Sequence, residues 1–290
     1  MRRTLRIIPR LDIKGPNLVK GIHLEGLRVL GKPWDFAHTY YREGADELIY
    51  IDAVASLYGR NNLLEIVKKT AENVFIPLTV GGGVRSLEDM RNLLCAGADK
   101  IAINTAAVHQ PDLITQGAKM FGSQCIVGSI QAKLIDGRYY AYTDNAREFT
   151  ELDVFDWARR LVDLGAGEIL VTSIDQEGTA KGYELNLVRR LSETLTVPLI
   201  VCGGCGRPEH VADVAGLPGV DAVCASSIFH YNYLSSVATR ENYEAEGNIE
   251  FLKKNRGGTP FMSTQLAVSS IGRVKEFLCS RGIPCRWPLS

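Results

Sequence analysis

Polar side chains and glycines follow directly after a series of short apolar runs. Asp12 comes after the run 5–11, and Asp52 comes after the run 48–51. Residues in the same kind of position are Gly81, Gly82, Gly83, Asn104, Thr105, Gln131, Thr172, Ser173, Gly203, Gly204, Ser226 and Ser227. In a parallel α/β fold these strand ends meet at one edge, where a carboxylate such as Asp12 can serve as a general acid or base. The alternative interpretation is that Asp12 only caps a turn or a helix.

A glycine loop joins a strand pattern to a helix pattern between residues 77 and 105. The apolar run 77–80 precedes three glycines, Gly81 to Gly83, and Ser86 then stands where a helix N-cap is expected. Glycine lets the backbone approach a ligand closely, and the free N–H groups of a helix start favour an anion, most often a phosphate. A second apolar run, 100–104, completes a unit typical of a parallel sheet.

The same unit recurs in the second half of the chain. Gly81 and Gly82 correspond to Gly203 and Gly204, and the pair Asn104–Thr105 corresponds to Ser226–Ser227. GADELI at 44–49 matches GAGEIL at 165–170 in nearly the same register. We therefore predict a (βα)8 TIM barrel built from two duplicated half-barrels. Repeated Gly-Gly turns of an ordinary α/β protein are the alternative.

Two glycine loops on opposite sides of a barrel mouth suggest two phosphate sites and a substrate with a phosphate at each end. One phosphate site plus a purely structural repeat is the alternative. Aligning LDIK at 11–14 with IQAK at 130–133 places Gln131 where a second aspartate would be expected. Glutamine can form hydrogen bonds but cannot exchange a proton at ordinary pH.

Composition limits the class of protein. The 290 residues are 46% hydrophobic, and 33 basic residues balance 33 acidic ones. This argues against nucleic-acid or membrane partners, and without a signal-peptide pattern we expect a soluble cytoplasmic protein. The seven cysteines indicate free thiols, and Cys202-Gly-Gly-Cys205 lies on the repeated glycine loop. We expect neither a metal site nor a cofactor.

Periodicity predicts the remaining elements of one domain spanning 1–290. Strands are predicted at 5–11, 48–51, 77–80, 100–104, 125–130, 169–172, 199–202 and 222–226, and helices near 34–43, 62–73, 87–94, 111–121, 152–164, 184–195, 207–216 and 267–281. Residues 13–33 are expected to form a long loop, often a lid in such folds. Asp136-Gly137 predicts a hairpin, and 231–263 is expected to be an insertion between strand 8 and the last helix.

Four charged residues stand at the start of predicted strands: Arg6, Glu47, Lys100 and Glu168. They should face the bottom of the barrel and could form a ring of ion pairs. On the residues alone, a stabilising role is favoured, since the barrel bottom ordinarily contributes stability. His230 is expected to be packed rather than catalytic.

Several motifs carry a resemblance to a known family: RLDIKG, LVKG at 18–21, VGGGVRS, GADKIAINTAA, GAGEILVTSIDQEGT, CGG and SSIFH. Over about 5–230 and 264–287 the chain resembles the HisF-type cyclase subunit of imidazole glycerol phosphate synthase. The resemblance implies a barrel that receives ammonia from a HisH-like glutaminase subunit docked at its bottom. Ammonia would pass to a doubly phosphorylated substrate at the top, giving imidazole glycerol phosphate and an aminoimidazole carboxamide ribonucleotide.

The resemblance also implies roles for individual residues. Asp12 would be one catalytic carboxylate, the second would fall on Gln131, and Lys20 would lie on a mobile loop. One phosphate would be held by Gly83, Asn104 and Thr105, and the other by Gly178, Gly203, Gly204, Ser226 and Ser227. Further substrate contacts would come from Asp52, Gly82 and Thr172. The ammonia gate would be Arg6, Glu47, Lys100 and Glu168.

Gln131, Glu177 in place of the usual aspartate, and the insertion depart from the family pattern. LEGLRVLG at 24–31 and VASLYGRNNLL at 54–64 look more like a related branch that supplies ammonia for acetamidino-sugar formation, with a sugar amidotransferase as partner. A non-catalytic ammonia conduit or scaffold is a further alternative. The phosphosugar isomerase of the same barrel family is another, and the expected ion ring argues against it.

Overall fold

Eight parallel strands close into a barrel in the computed structural model, which describes residues 4–55, 63–236 and 265–286. The barrel strands are β1 (Arg6–Lys14), β4 (Leu48–Asp52), β5 (Leu78–Gly81), β6 (Lys100–Ile103), β7 (Ile126–Ile135), β10 (Glu168–Ser173), β11 (Leu199–Cys202) and β12 (Val220–Ala225). Each pairs with the next in this order, and β12 pairs with β1, which closes the barrel. The predicted (βα)8 architecture is confirmed.

Helices follow the barrel strands and cover their outer face. They are α1 (Pro33–Arg42), α2 (Leu63–Ala71), α3 (Leu87–Cys95), α4 (Thr105–His109), α5 (Asp112–Phe121), α6 (Val154–Asp163), α7 (Leu185–Thr194), α8 (Pro208–Ala215), α9 (Ser227–Ser236) and α10 (Ile271–Ser280). Ser86 caps α3 as predicted. Its side chain accepts from Asp89 N while the Asp89 side chain accepts from the Ser86 backbone, which completes a capping box.

Residues 13–33 form a hairpin instead of the expected loop. β1 continues through Lys14, and β2 (Asn17–Ile22) and β3 (Glu25–Gly31) pair antiparallel beside it. The prediction of an irregular loop was wrong because β1 extends past the barrel mouth, where β2 satisfies its backbone hydrogen bonds. Asp12 therefore lies within a strand and not beyond its end.

The second half repeats this construction. β7 also runs past the mouth and pairs antiparallel with β8 (Arg138–Thr143), which in turn pairs with β9 (Glu148–Asp153). The hairpin at Asp136-Gly137 is confirmed, and both residues have positive φ, +46° and +80°. Gln131 in β7 thus occupies the place that Asp12 occupies in β1.

Two hydrophobic layers share the barrel strands. Ile7, Leu11 and Ile13 of β1 belong to the large core between sheet and helices. A smaller core fills the barrel interior and consists of Ile8, Ile49, Ala102, Val127, Leu170, Ile200, Cys202, Ala222 and Cys224. Because side chains alternate along a strand, the even-numbered residues of β1 point into the barrel.

The C-terminal helix is tied to the barrel bottom by a buried cation. Lys275 Nζ donates to Asp46 Oδ1 at 2.8 Å and to the carbonyls of Gly44 and Arg286, each at 2.7 Å. Residues 231–236 continue α9, and the rest of the expected insertion lies outside the described residues, as does 56–62 of VASLYGRNNLL. Within the described part of the chain, no helix is long and apolar enough to cross a membrane.

Candidate functional site at the two ends of the barrel

An ion-paired ring closes the lower end of the barrel. Arg6 contacts Glu47 at 2.6 Å and Glu168 at 2.5 Å, and Lys100 contacts the same carboxylates at 3.0 and 2.9 Å. Burial acts to lower the pKa of Arg6, but the charges of Glu168 and Glu47 outweigh it and the pKa is raised. Arg6 lies in β1, Lys100 in β6 and Glu168 in β10, whereas Glu47 lies directly before β4. Only closure of the barrel brings these four residues together.

The barrel interior is layered above this ring. Along β1, Arg6 belongs to the ring, Ile8 to the apolar interior core, and Arg10 and Asp12 to the polar top. Alternate residues of a strand lie about 6–7 Å apart, so these four side chains follow one another along the barrel axis. A neutral molecule moving from bottom to top would pass them in that order.

Asp12 lies in a buried network of four charged groups. Its Oδ1 accepts from Arg10 Nε at 2.8 Å, and its Oδ2 lies 3.9 Å from Lys20 Nζ. Lys20 also forms an ion pair with Glu177. Burial acts to lower the pKa of Lys20, but Glu177 and then Asp12 outweigh it and the pKa is raised.

Lys20 was expected on a mobile loop and is found in β2, with only 4% of its surface exposed. That expectation was wrong because the hairpin places Lys20 against Glu177, far along the chain, and a buried ammonium requires such a partner. Gly178, next to Glu177, is also held against the hairpin. A Cβ at Gly178 would lie 2.7 Å from the carbonyl oxygen of Gly21.

A cavity of about 270 Å³ opens beside the first glycine loop. Six of the predicted site residues line it: Asp52, Gly82, Gly83, Asn104, Thr105 and Gln131. Gly82 has φ +93°, and a Cβ there would lie 2.5 Å from the carbonyl oxygen of Asp52, so only glycine fits. Burial raises the pKa of Asp52, an effect that hydrogen bonds from the Val54 and Ala55 backbone N–H groups oppose.

Hydrogen bonds fix the polar wall of this cavity. Asn104 Nδ2 donates to the carbonyls of Ser129 and Tyr142 at 3.0 and 3.2 Å. Thr105 Oγ1 accepts from Asp144 N at 3.1 Å, and Gln131 Oε1 accepts from Ala146 N at 2.7 Å. Because its oxygen is occupied by the β8–β9 turn, Gln131 has its amide group free to act as a donor.

The second glycine loop forms a smaller pocket on the opposite side. It is lined by Glu177, Gly178, Gly203, Gly204, Cys205, Cys224, Ala225, Ser226 and Ser227. α9 begins at Ser227, so its free N–H groups lie at this pocket. The hydroxyl of Ser226 donates to the Arg10 carbonyl at 2.9 Å, which ties this side of the pocket to β1.

Arg10 is the charged residue that the sequence interpretation missed. Its Nη1 donates to Thr172 Oγ1 at 3.0 Å, so Thr172 contacts Arg10 as well as lying at the end of β10. Burial acts to lower the pKa of Arg10, but Asp12 and other neighbours outweigh it and the pKa is raised well above its usual value. A signal was available: Arg10 has the same strand parity as Arg6 and Asp12.

Comparison with known proteins gives one consistent result. A family model described as "Histidine biosynthesis protein" matches residues 6–235. A Legionella pneumophila protein named imidazole glycerol phosphate synthase subunit HisF is 63% identical over 207 residues, covering 71% of this chain and 98% of the relative. HisF subunits of Bacillus cereus (strain G9842) and Methanopyrus kandleri are 49% and 44% identical, covering 84% and 83% of this chain and 97% and 96% of theirs.

The chain belongs to the HisF family. For this HisF-family barrel the structure arranges the predicted residues in three groups. The ring lies at the bottom, the glycine loops form pockets on opposite sides of the top, and Asp12, Lys20 and Thr172 lie in one polar network with Arg10 and Glu177. Gln131 lies outside this network: it lines the first cavity, and its side-chain oxygen accepts from Ala146 N.

Proposed function

We propose that this chain is the ring-closing subunit of an imidazole glycerol phosphate synthase. It takes up ammonia at the bottom of the barrel and uses it at the top on a substrate with a phosphate at each end. The observation that carries this proposal is the ion ring of Arg6, Glu47, Lys100 and Glu168. It lies on the same axis as Asp12, with an apolar layer between them.

The interior suits transport of neutral ammonia. Ile8, Leu170 and their neighbours form a buried apolar layer directly above the ring. An ammonium ion would lose its hydration there without a counter-charge, which is costly, whereas neutral ammonia passes at little cost. Each charged group of the ring is paired with a group of opposite charge within the ring, so no unpaired ring charge faces the apolar layer.

The two pockets suit a doubly phosphorylated substrate. One lies at the ends of β5 and β6 and the other at the ends of β11 and β12, half-way around the barrel from each other. Backbone N–H groups after Gly82–Gly83 and at the start of α9 would bind the phosphates. The middle of the substrate would then span the axis, above Asp12.

Asp12 is proposed to transfer protons during ring closure, with Gln131 as a hydrogen-bond donor in place of a second acid. The amide of Gln131 can hold a substrate oxygen but cannot exchange a proton. This favours a second candidate, a conduit that passes ammonia to a separate acceptor, such as a sugar-modifying enzyme. Both candidates require a glutaminase partner at the lower face, where Arg6 and Lys100 retain 24% and 18% side-chain exposure.

Turnover of the doubly phosphorylated ribulosyl substrate with ammonium salt distinguishes the two candidates. We expect wild type to be active, Asp12→Asn to keep only a residual rate several orders of magnitude lower with nearly unchanged substrate affinity, and Gln131→Asp to change the rate without abolishing it. Activity in Gln131→Asp but not in wild type would support the conduit. Unchanged turnover in Asp12→Asn would remove Asp12 from the mechanism.

Binding of the partner is tested separately. The chain and a HisH-type glutaminase subunit would be mixed and run on a sizing column, and we expect a shared, earlier-eluting peak. Arg159→Met on the outer helix α6 serves as a control that should leave the complex intact. A chain that elutes unchanged in the presence of the glutaminase would contradict ammonia delivery from that subunit.

A further inference from the structure

Arg10 is a buried cation in the middle of β1. Only 2% of its surface is exposed, and its guanidinium contacts three side chains. Nε donates to Asp12 Oδ1 at 2.8 Å, and Nη1 donates to Thr172 Oγ1 at 3.0 Å and approaches Cys202 Sγ at 3.7 Å. Burying a guanidinium is costly, so a position like this needs a compensating interaction, which Asp12 provides.

Because of the Arg10 guanidinium, the two carboxylate oxygens of Asp12 have different surroundings. Oδ1 accepts a hydrogen bond from Arg10 Nε, whereas Oδ2 lies 3.9 Å from Lys20 Nζ, beyond hydrogen-bonding distance. The planar fork of Arg10 is itself fixed by Thr172 on the far side of the barrel. A carboxylate held through one oxygen by a rigid donor keeps a constant orientation.

We propose that Arg10 is the positioning residue for Asp12: it holds Oδ1 and thereby presents Oδ2 to the reacting centre. This inference rests on the proposed function of Asp12. Arg10 itself stands below Asp12 on the axis, between it and the apolar layer, so Arg10 acts through the carboxylate. Glu177 plays the corresponding part for Lys20, which leaves two cations and two anions in the network.

Steady-state kinetics with ammonium salt test the proposal. Arg10→Met should lower kcat about 100-fold, because loss of orientation by about 1 Å costs that much, while KM for the phosphorylated substrate stays within about threefold. Arg10→Lys keeps the positive charge but loses the planar guanidinium, and its kcat should be roughly tenfold higher than that of Arg10→Met. The exposed Arg159→Met is the matched control and should behave as wild type.

The decisive comparison combines Arg10→Met with Asp12→Asn. If Arg10 acts through Asp12, adding Arg10→Met to Asp12→Asn should cause no further loss of kcat. The proposal would be overturned if Arg10→Met lowered kcat by the same factor in the Asp12→Asn protein as in wild type. It would also be overturned if Arg10→Lys and Arg10→Met both had the kcat of wild type. A rise in KM with unchanged kcat would also overturn it, because it would assign Arg10 to substrate binding.

A wild-type chain without turnover would refute the proposed function and leave Arg10 to be tested by stability. The same four proteins would then be compared in urea. Arg10→Met should lower the unfolding midpoint more in the protein with Asp12 than in the protein with Asp12→Asn, because only the former leaves a buried carboxylate that has lost its hydrogen-bonded cation. Equal shifts in both backgrounds would show that Arg10 does not hold Asp12, and would overturn the inference.

Discussion

His230 should make the barrel unstable in mild acid, and replacing it should remove that sensitivity. The imidazole is fully buried in α9, where Nδ1 shares a 2.6 Å hydrogen bond with the Tyr40 hydroxyl. Burial, together with the charge of Lys20, lowers the pKa of His230 to about 3, against the opposing effects of the Arg10 backbone and Glu177. The ring therefore stays neutral in the folded chain at any pH where the enzyme would be assayed.

The size of the effect follows from the difference between the folded and unfolded chains. The pKa is about 3 in the folded chain and 6.5 without the fold, so the unfolded chain binds the proton first as pH falls. Stability from a neutral His230 is complete above pH 6.5 and is lost as pH falls toward 3. At pH 5 the loss is about 2 kcal/mol, and this figure is the same for any folded pKa below about 4.

Urea unfolding at pH 7.5 and pH 5 measures this directly in wild type and His230→Gln. Glutamine keeps a hydrogen-bonding group for Tyr40 but does not titrate. His230→Gln should be the less stable protein at pH 7.5, and wild type should lose about 2 kcal/mol more than the variant on going to pH 5. Other titrating groups are common to both proteins, so they cancel in this difference. Equal losses in the two proteins would show that His230 is accessible to protons in the folded chain.

Two further changes test the ends of the barrel. Lys100→Met leaves the two ring carboxylates with Arg6 alone. We expect glutamine-dependent turnover with the glutaminase to fall roughly tenfold while turnover with ammonium salt is retained. Equal losses in both assays would contradict a role of the ring in ammonia entry. Lys275→Met leaves Asp46 as a buried carboxylate without its cation and should lower the unfolding free energy by about 3–5 kcal/mol in urea. Adding Asp46→Asn should recover part of that loss, and a loss below about 1 kcal/mol would mean that water reaches Asp46.

The fold was predictable because its signals are local or repeated. Apolar runs of strand length, Ser86 as a cap and the glycine loops each act within a few residues. The match between Gly81–Gly82 and Gly203–Gly204 then joined these elements into two halves. The same repeat aligned Gln131 with Asp12 in the sequence. In the structure both residues lie at equivalent places in strands that continue into hairpins.

The extent of those strands was not predictable from the same signals. The segment after Asp12 is polar and rich in glycine, which is typical of a loop. It forms β2 and β3 because the free edge of β1 offers a row of backbone donors and acceptors that the segment can satisfy. This pairing buries Lys20, whose partner Glu177 comes from the other half of the barrel.

The sequence alone determined the elements, their order and the strand ends at which chemistry is placed, since short-range periodicity and glycine positions carry that information. Tertiary structure alone decided which charges meet. Arg10 pairs with Asp12 on its own strand but is held in place by Thr172, and the ring joins residues from three strands and from the segment before β4. Such pairings depend on barrel closure and register, and each buried charge is stable only where closure supplies a partner.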